Sequence, residues 1–172
     1  SGQVQFDDAA ARWADANSAN TQGNFSKLNL NLSRLQNLNP GNRLKLTFSG
    51  QSASTNLDSS QSMAAGGPNA VRAYNTDAVS GDSGHLMTIE LQHNLGVGFG
   101  GQWQAVAFVD SAQLKVNKNP WVAGTNDASL LGAGVGIKVT GENRWNAKAY
   151  IAMPIGAQPD LVSSTESVRA WV

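Results

Sequence analysis

Asp82-Ser83-Gly84-His85 puts the three residue types of a hydrolytic triad within four positions. Adjacency is not triad geometry. At the start of a strand Ser83 and His85 point the same way, without the sharp turn that presents a nucleophile. His85 and His93 stand eight apart with no supporting ligand pattern, so no metal site is expected. Gly96 to Gly101 lacks a Lys-Ser/Thr end and a following helix, which makes it a turn and not a phosphate cradle. The chain has no Cys, which excludes a disulfide scaffold, thiol catalysis and a Cys-built zinc site. The sequence therefore reads as a non-enzyme without metal or cofactor. What remains is charge placement. Arg72 lies in a loop behind Gly66 and Gly67, and Asp110 lies on a strand where Phe108 shares its parity.

Composition narrows the partners. Among 172 residues, 12 Lys and Arg balance 12 Asp and Glu, so bulk charge gives no reason to expect nucleic acid. No nucleotide-binding motif is present. Charged residues reach only 14%, against about 25% in an average soluble domain. No apolar run approaches the roughly 18 residues of a transmembrane helix. That leaves open a membrane crossed by strands, whose signal is an alternation over about 10 residues. Ser1-Gly2 opens in mid-pattern, which puts any export signal upstream of it.

Alternation is what positions these residues. Phe25 to Leu38 sets Leu28, Leu30 and Leu32 against Lys27, Asn29, Asn31 and Ser33. Asn39-Pro40-Gly41-Asn42 is a tight turn, Pro setting φ and Gly and Asn accepting positive φ. The next strand sets Leu44, Leu46 and Phe48 against Arg43, Lys45, Thr47 and Ser49. Further strands are expected over 85–95, 102–114, 131–140, 144–155 and 167–172. Short turns at 39–42, 96–101 and 141–143 alternate with long polar loops at 7–23, 58–84, 117–129 and 156–166. That asymmetry is the pattern of an antiparallel transmembrane β-barrel. Trp13 and Trp121 then fall near membrane edges. Lys27, Arg43, Lys45, Glu90, Lys138 and Lys148 would all face one wet interior, because a packed core would not tolerate them. A soluble, half-exposed antiparallel sheet gives the same alternation.

The long loop reads Gly66-Gly67-Pro68-Asn69-Ala70-Val71-Arg72-Ala73-Tyr74, then Gly81-Asp82-Ser83-Gly84 before a strand. Together with Phe108-Val109-Asp110-Ser111-Ala112 these residues resemble the haemolysin secretion/activation proteins (ShlB/FhaC/HecB-like), the outer-membrane transporters of two-partner secretion. The likeness continues through Lys118-Asn119-Pro120-Trp121, Leu131 to Gly136 and Met153 to Gly156, and so covers essentially the whole chain. Within it Val71, Arg72, Ala73 and Tyr74 match a V-R-G-[FY] loop motif, with Ala73 in the glycine place. Phe108 and Asp110 match F-x-D-x-G, with Ala112 in the glycine place. If either backbone needs positive φ, alanine strains it.

The resemblance implies an all-β fold, the C-terminal portion (1–172) of a barrel of approximately sixteen strands, with the loop at about 58–84 folded into the lumen. Earlier strands and N-terminal periplasmic domains would be absent from this piece. It implies a bacterial cell outer membrane location, lipid around the barrel, and a translocation pore that secretes a partner exoprotein of haemolysin or adhesin type. Arg72 and Asp110 would form a structural latch on the loop, with Gly132, Gly134 and Gly136 making room for it. On spacing alone Arg72 reads sooner as a solvated loop residue and Asp110 as an ordinary strand-end carboxylate, and it is the resemblance that reverses this. Two alternatives stand beside the pore: a barrel-assembly insertase relative, and a soluble secreted β-rich binding domain.

Overall fold

The structure, a computed structural model, describes residues 1–141, 145–162 and 166–172. In chain order its elements are β1 (Gly2–Val4), α1 (Ala9–Ala16), β2 (Gly23–Phe25), β3 (Lys27–Asn39), β4 (Asn42–Ala53), β5 (Met63–Ala65), β6 (Val79–Gly81), β7 (Ser83–Gly98), β8 (Gly101–Lys115), β9 (Asp127–Gly141), β10 (Asn146–Pro154) and β11 (Arg169–Trp171). A short 3₁₀ turn spans Ser59–Gln61. Seven strands form one antiparallel sheet in the order β11-β10-β9-β8-β7-β4-β3, so nearly every neighbour in space is a neighbour in sequence. The sheet is open, and so displays one wall and not a closed barrel of sixteen strands. The hairpins β1-β2 and β5-β6 form two small separate sheets.

Registers give the two faces opposite chemistry. Phe48 pairs with Met87, Leu46 with Ile89, and Leu44 with Leu91, continuing through Val109, Ala107, Val135 and Ile151. That face is apolar and open: Ile89, Leu91, Val135 and Ile151 all stay exposed. On the other face Lys45 pairs with Glu90 and Glu90 with Phe108, while Thr88 pairs with Asp110. Most of the buried side chains lie on this polar side, beneath the 58–84 loop. Val71, Ala73 and Tyr74 of the loop pack with Phe108, Leu130, Tyr150 and Ala152 of the sheet.

Several local expectations change. The stretch 7–23 is not merely a polar loop: Ala9–Ala16 is an Ala-rich helix, and the Asp8 side chain caps it by accepting the Ala11 N–H at 2.7 Å. The turn at Pro40-Gly41 does without positive φ. Asn39 Oδ1 instead accepts the Gly41 N–H at 3.1 Å. The 96–101 turn narrows to Phe99-Gly100, both with positive φ (49° and 76°), the geometry that matches strand twist in a two-residue hairpin. The expected turn at 141–143 and the loop at 156–166 fall partly outside the described residues, as does the first residue of the 144–155 strand.

Candidate functional site at the contact between loop and sheet

The loop is delivered by a backbone that only glycine takes easily. Gly66 and Gly67 hold φ of 99° and 98°, and any Cβ on Gly66 would strike the Asn75 carbonyl oxygen. The loop closes on itself there, since the Gly67 N–H donates to the Tyr74 carbonyl at 3.0 Å. Its two ends are tied by Asp82, whose carboxylate accepts the Leu57 N–H at 3.1 Å and the Lys118 N–H at 2.8 Å. Burial holds the Asp82 carboxyl above its ordinary value, against the pull of those two donors. Lys27 adds a tether from the wall, donating to the Gln61 carbonyl at 2.9 Å.

At the tip of this loop Arg72 is buried to 5% exposure. Its Nε donates to Asp110 Oδ2 and its NH2 to Asp110 Oδ1, both at 2.8 Å, which is a fork on a carboxylate. Its NH1 donates to Glu90 Oε2 at 3.1 Å. The Arg72 backbone N–H also donates to Asp110 Oδ2 at 3.1 Å, so main chain and side chain hold the same group. The guanidinium carbon lies 3.3 Å from the Phe108 ring centre and 4.9 Å from that of Tyr150. Those two rings meet edge-to-face. Thr88 donates to Asp110 at 2.9 Å, Gln92 to Glu90 at 2.7 Å, and Lys138 forms an ion pair with Glu90. Two cations and two carboxylates balance, which is the condition under which buried charges are tolerated. Trp171 of β11 donates its indole N–H to the Arg72 carbonyl at 2.7 Å, and Tyr74 donates its hydroxyl to the Leu131 carbonyl at 3.3 Å.

The alanines at the two motif glycine places carry no backbone strain, because neither Ala73 nor Ala112 has positive φ. The Ala73 methyl is accommodated from the opposite side: a Cβ on Gly132 would collide with it. The β9 glycines make three kinds of room. Gly132 admits the loop, Gly134 lies under the Phe108 ring, and Gly136 under the Tyr150 ring.

The residues with triad chemistry are not assembled. Ser83 Oγ accepts the Ala53 N–H at 3.0 Å, His85 stacks on Phe48 on the apolar face, and Asp82 is committed to the loop base. His93 stands at the far part of β7, where Nδ1 meets Asn42 Oδ1 at 2.9 Å.

This arrangement joins the loop motif Val71 to Tyr74 with the strand pair Phe108 and Asp110 in one contact. The family of haemolysin secretion/activation proteins, ShlB/FhaC/HecB, matches residues 4–139. The chain belongs to this family. Curated relatives of similar sequence are heme/hemopexin transporter proteins HuxB of Haemophilus influenzae. One is 29% identical over 154 residues, covering 88% of this chain and 27% of its own length. HuxB of strain 86-028NP is 29% identical over 137 residues, covering 78% of this chain and 24% of its own. The chain thus spans about a quarter of the length of these relatives. In fold it is similar to CdiB from Escherichia coli, with a TM-score of 0.72 at 19% identity, covering 87% of this chain and 27% of that one.

Glu90, Lys138, Thr88, Tyr150 and Trp171 join the site without having been singled out for it. Glu90 and Lys138 carry a partial signal, as ionisable residues on the polar parity of their strands. Trp171 carries none, because nothing local connects position 171 to position 72.

Proposed function

We propose that residues 1–172 form the C-terminal portion of an outer-membrane barrel of about sixteen strands, and that the whole protein passes an exoprotein partner through it. The single observation that carries this reading is a balanced buried charge cluster, centred on Arg72, which fastens a loop against the polar face of a sheet whose other face is apolar and open. Monomeric soluble proteins rarely leave so continuous an apolar face uncovered. Lipid covers it without a partner protein, and the polar face then lines a lumen. The loop at 58–84 is a plug, the Arg72–Asp110 contact its latch, and translocation requires the loop to leave the wall. The named relatives are transporters, which supports the class of task; at 29% identity over part of their length they do not carry the cargo with them.

The test uses the full-length protein. Asn69 of the loop and Thr47 of the wall line one cavity, and this chain contains no cysteine of its own. A pair Asn69→Cys and Thr47→Cys, bridged by a thiol-cleavable linker, should stop secretion of the partner, and reduction should restore it. Undiminished secretion with the bridge intact overturns the moving plug. A full-length protein that is soluble without detergent, with no heat-modifiable band, overturns the barrel.

A further inference from the structure

Between the loop tip and the wall lies a cavity of about 310 Å³. The cations lining it are Arg72, Lys45, Lys138 and Lys148, and the carboxylate lining it is Glu90. Asp110 satisfies Arg72 from behind. Among the described residues, four positive charges therefore meet two negative ones at this point. The imbalance is built into the sheet. Lys148 pairs directly with Lys138 across β10 and β9, and like charges directly opposite each other repel. Lys45 stands opposite Glu90 in the register, but the Glu90 carboxylate is taken by Arg72 and Lys138, and no carboxylate comes within 4.0 Å of Lys45 or Lys148 among the described residues. Hydroxyls of Thr47 and Ser49 and the Asn69 amide supply further hydrogen-bonding groups around the same space.

We infer that this cavity is an anion site whose ligand is a side-chain carboxylate, so that acidic segments of the translocated polypeptide are received here, beside the latch. The inference rests on the pore reading and deepens it. A carboxylate set between Lys45 and Lys148 would cancel the excess charge. It would also compete with Glu90 for Lys138, and so loosen the cluster that holds Arg72. A cationic or neutral segment has no such partner. A cavity of this size, open to the lumen, takes a side chain and not a folded domain.

The experiment is single-channel recording on the full-length protein in planar bilayers. The probes are a potassium chloride gradient, a short oligo-glutamate peptide and an oligo-lysine control, tested on the parent and on Lys45→Gln and Lys148→Gln. Folding of each variant is checked by its heat-modifiable gel shift. The expected result is current block by oligo-glutamate but not by oligo-lysine. Each variant should weaken that block by roughly tenfold and lower the permeability of chloride relative to potassium. A chloride shift without oligo-glutamate block marks a site for small anions and overturns the peptide assignment. Equal block of parent and variants overturns the site while leaving the pore standing. Absence of conductance both in the parent and in Arg72→Gln, where the loop is released, overturns the pore reading, and this inference with it.

Discussion

Replacing Arg72 by Gln removes the centre of the cluster without emptying its space. Asp110 would lose a two-pronged partner at 2.8 Å, and Glu90 a donor at 3.1 Å. Both carboxylates would stay buried, Glu90 with Lys138 as its remaining side-chain cation and Asp110 with the Thr88 hydroxyl as its remaining side-chain donor. Removing one member of a buried ion pair costs about 3–5 kcal/mol, most of it from the charge left behind. Because the cluster bridges loop and wall, the cost falls on docking of the loop and spares the strands. At about 1.4 kcal/mol per factor of ten, the undocked loop should gain two to three and a half powers of ten in population. Hydrogen exchange on the full-length protein reads this directly. The Gly67, Ala70 and Tyr74 amides, bonded within the loop, should exchange faster by that factor, while the β8 amides stay protected. Arg72→Lys keeps the charge but loses the fork and the flat contact with Phe108, and should fall between parent and Arg72→Gln. Adding Asp110→Asn to Arg72→Gln removes a stranded charge and should return part of the loss, a coupling of about 0.5–3 kcal/mol. Unchanged loop exchange in Arg72→Gln would refute the assignment of docking energy to this cluster.

Two further outcomes follow from single contacts. Gly132→Ala sets a methyl against that of Ala73 and should weaken loop docking by about 1–3 kcal/mol, with Ala73→Gly restoring it in the double variant. Loop exchange rates check both, and no rescue would show that the two positions do not meet. Burial works to raise the Asp15 carboxyl, but N–H groups of Thr21 and Gln22 and the Thr21 hydroxyl overcome it and hold the group below its ordinary 3.8. Its folded value is lowered, so its stabilisation is present above pH 3.8 and is lost as pH falls through the lowered value. Protection of the α1 amides should drop over that range in the parent, with no such step in Asp15→Ala. An identical acid response in both would remove Asp15 as its cause.

Much of the wall was legible from period-2 alternation. The strands expected at 85–95 and 102–114 appear as β7 and β8, longer at both ends, with the expected faces. Alternation succeeds there because each strand buries or exposes one face uniformly, and a slip of one residue would invert it. The helix α1 was not legible because its eight residues make little more than two turns, too short for a helical period to stand out. The charges of the polar face were legible as a set, but their partners were not.

Composition and alternation by themselves determined an antiparallel sheet with one apolar and one polar face, and placed Arg72 on a glycine-led loop and Asp110 beside Phe108 in parity. Tertiary structure alone decided which groups meet. The register of β7 on β8 shifts between Asn94 and Gly96, so that Glu90 comes to stand opposite Phe108 and Thr88 opposite Asp110. Counting back from the Phe99-Gly100 turn without that bulge would offset every pair by one and put Glu90 opposite Val109, on the wrong face. The contact from Trp171 to Arg72 spans 99 positions and depends on β10 and β11 being in place. Local sequence sets side-chain parity through the backbone's two-residue repeat, but a bulge and a loop closure are settled by packing between distant segments.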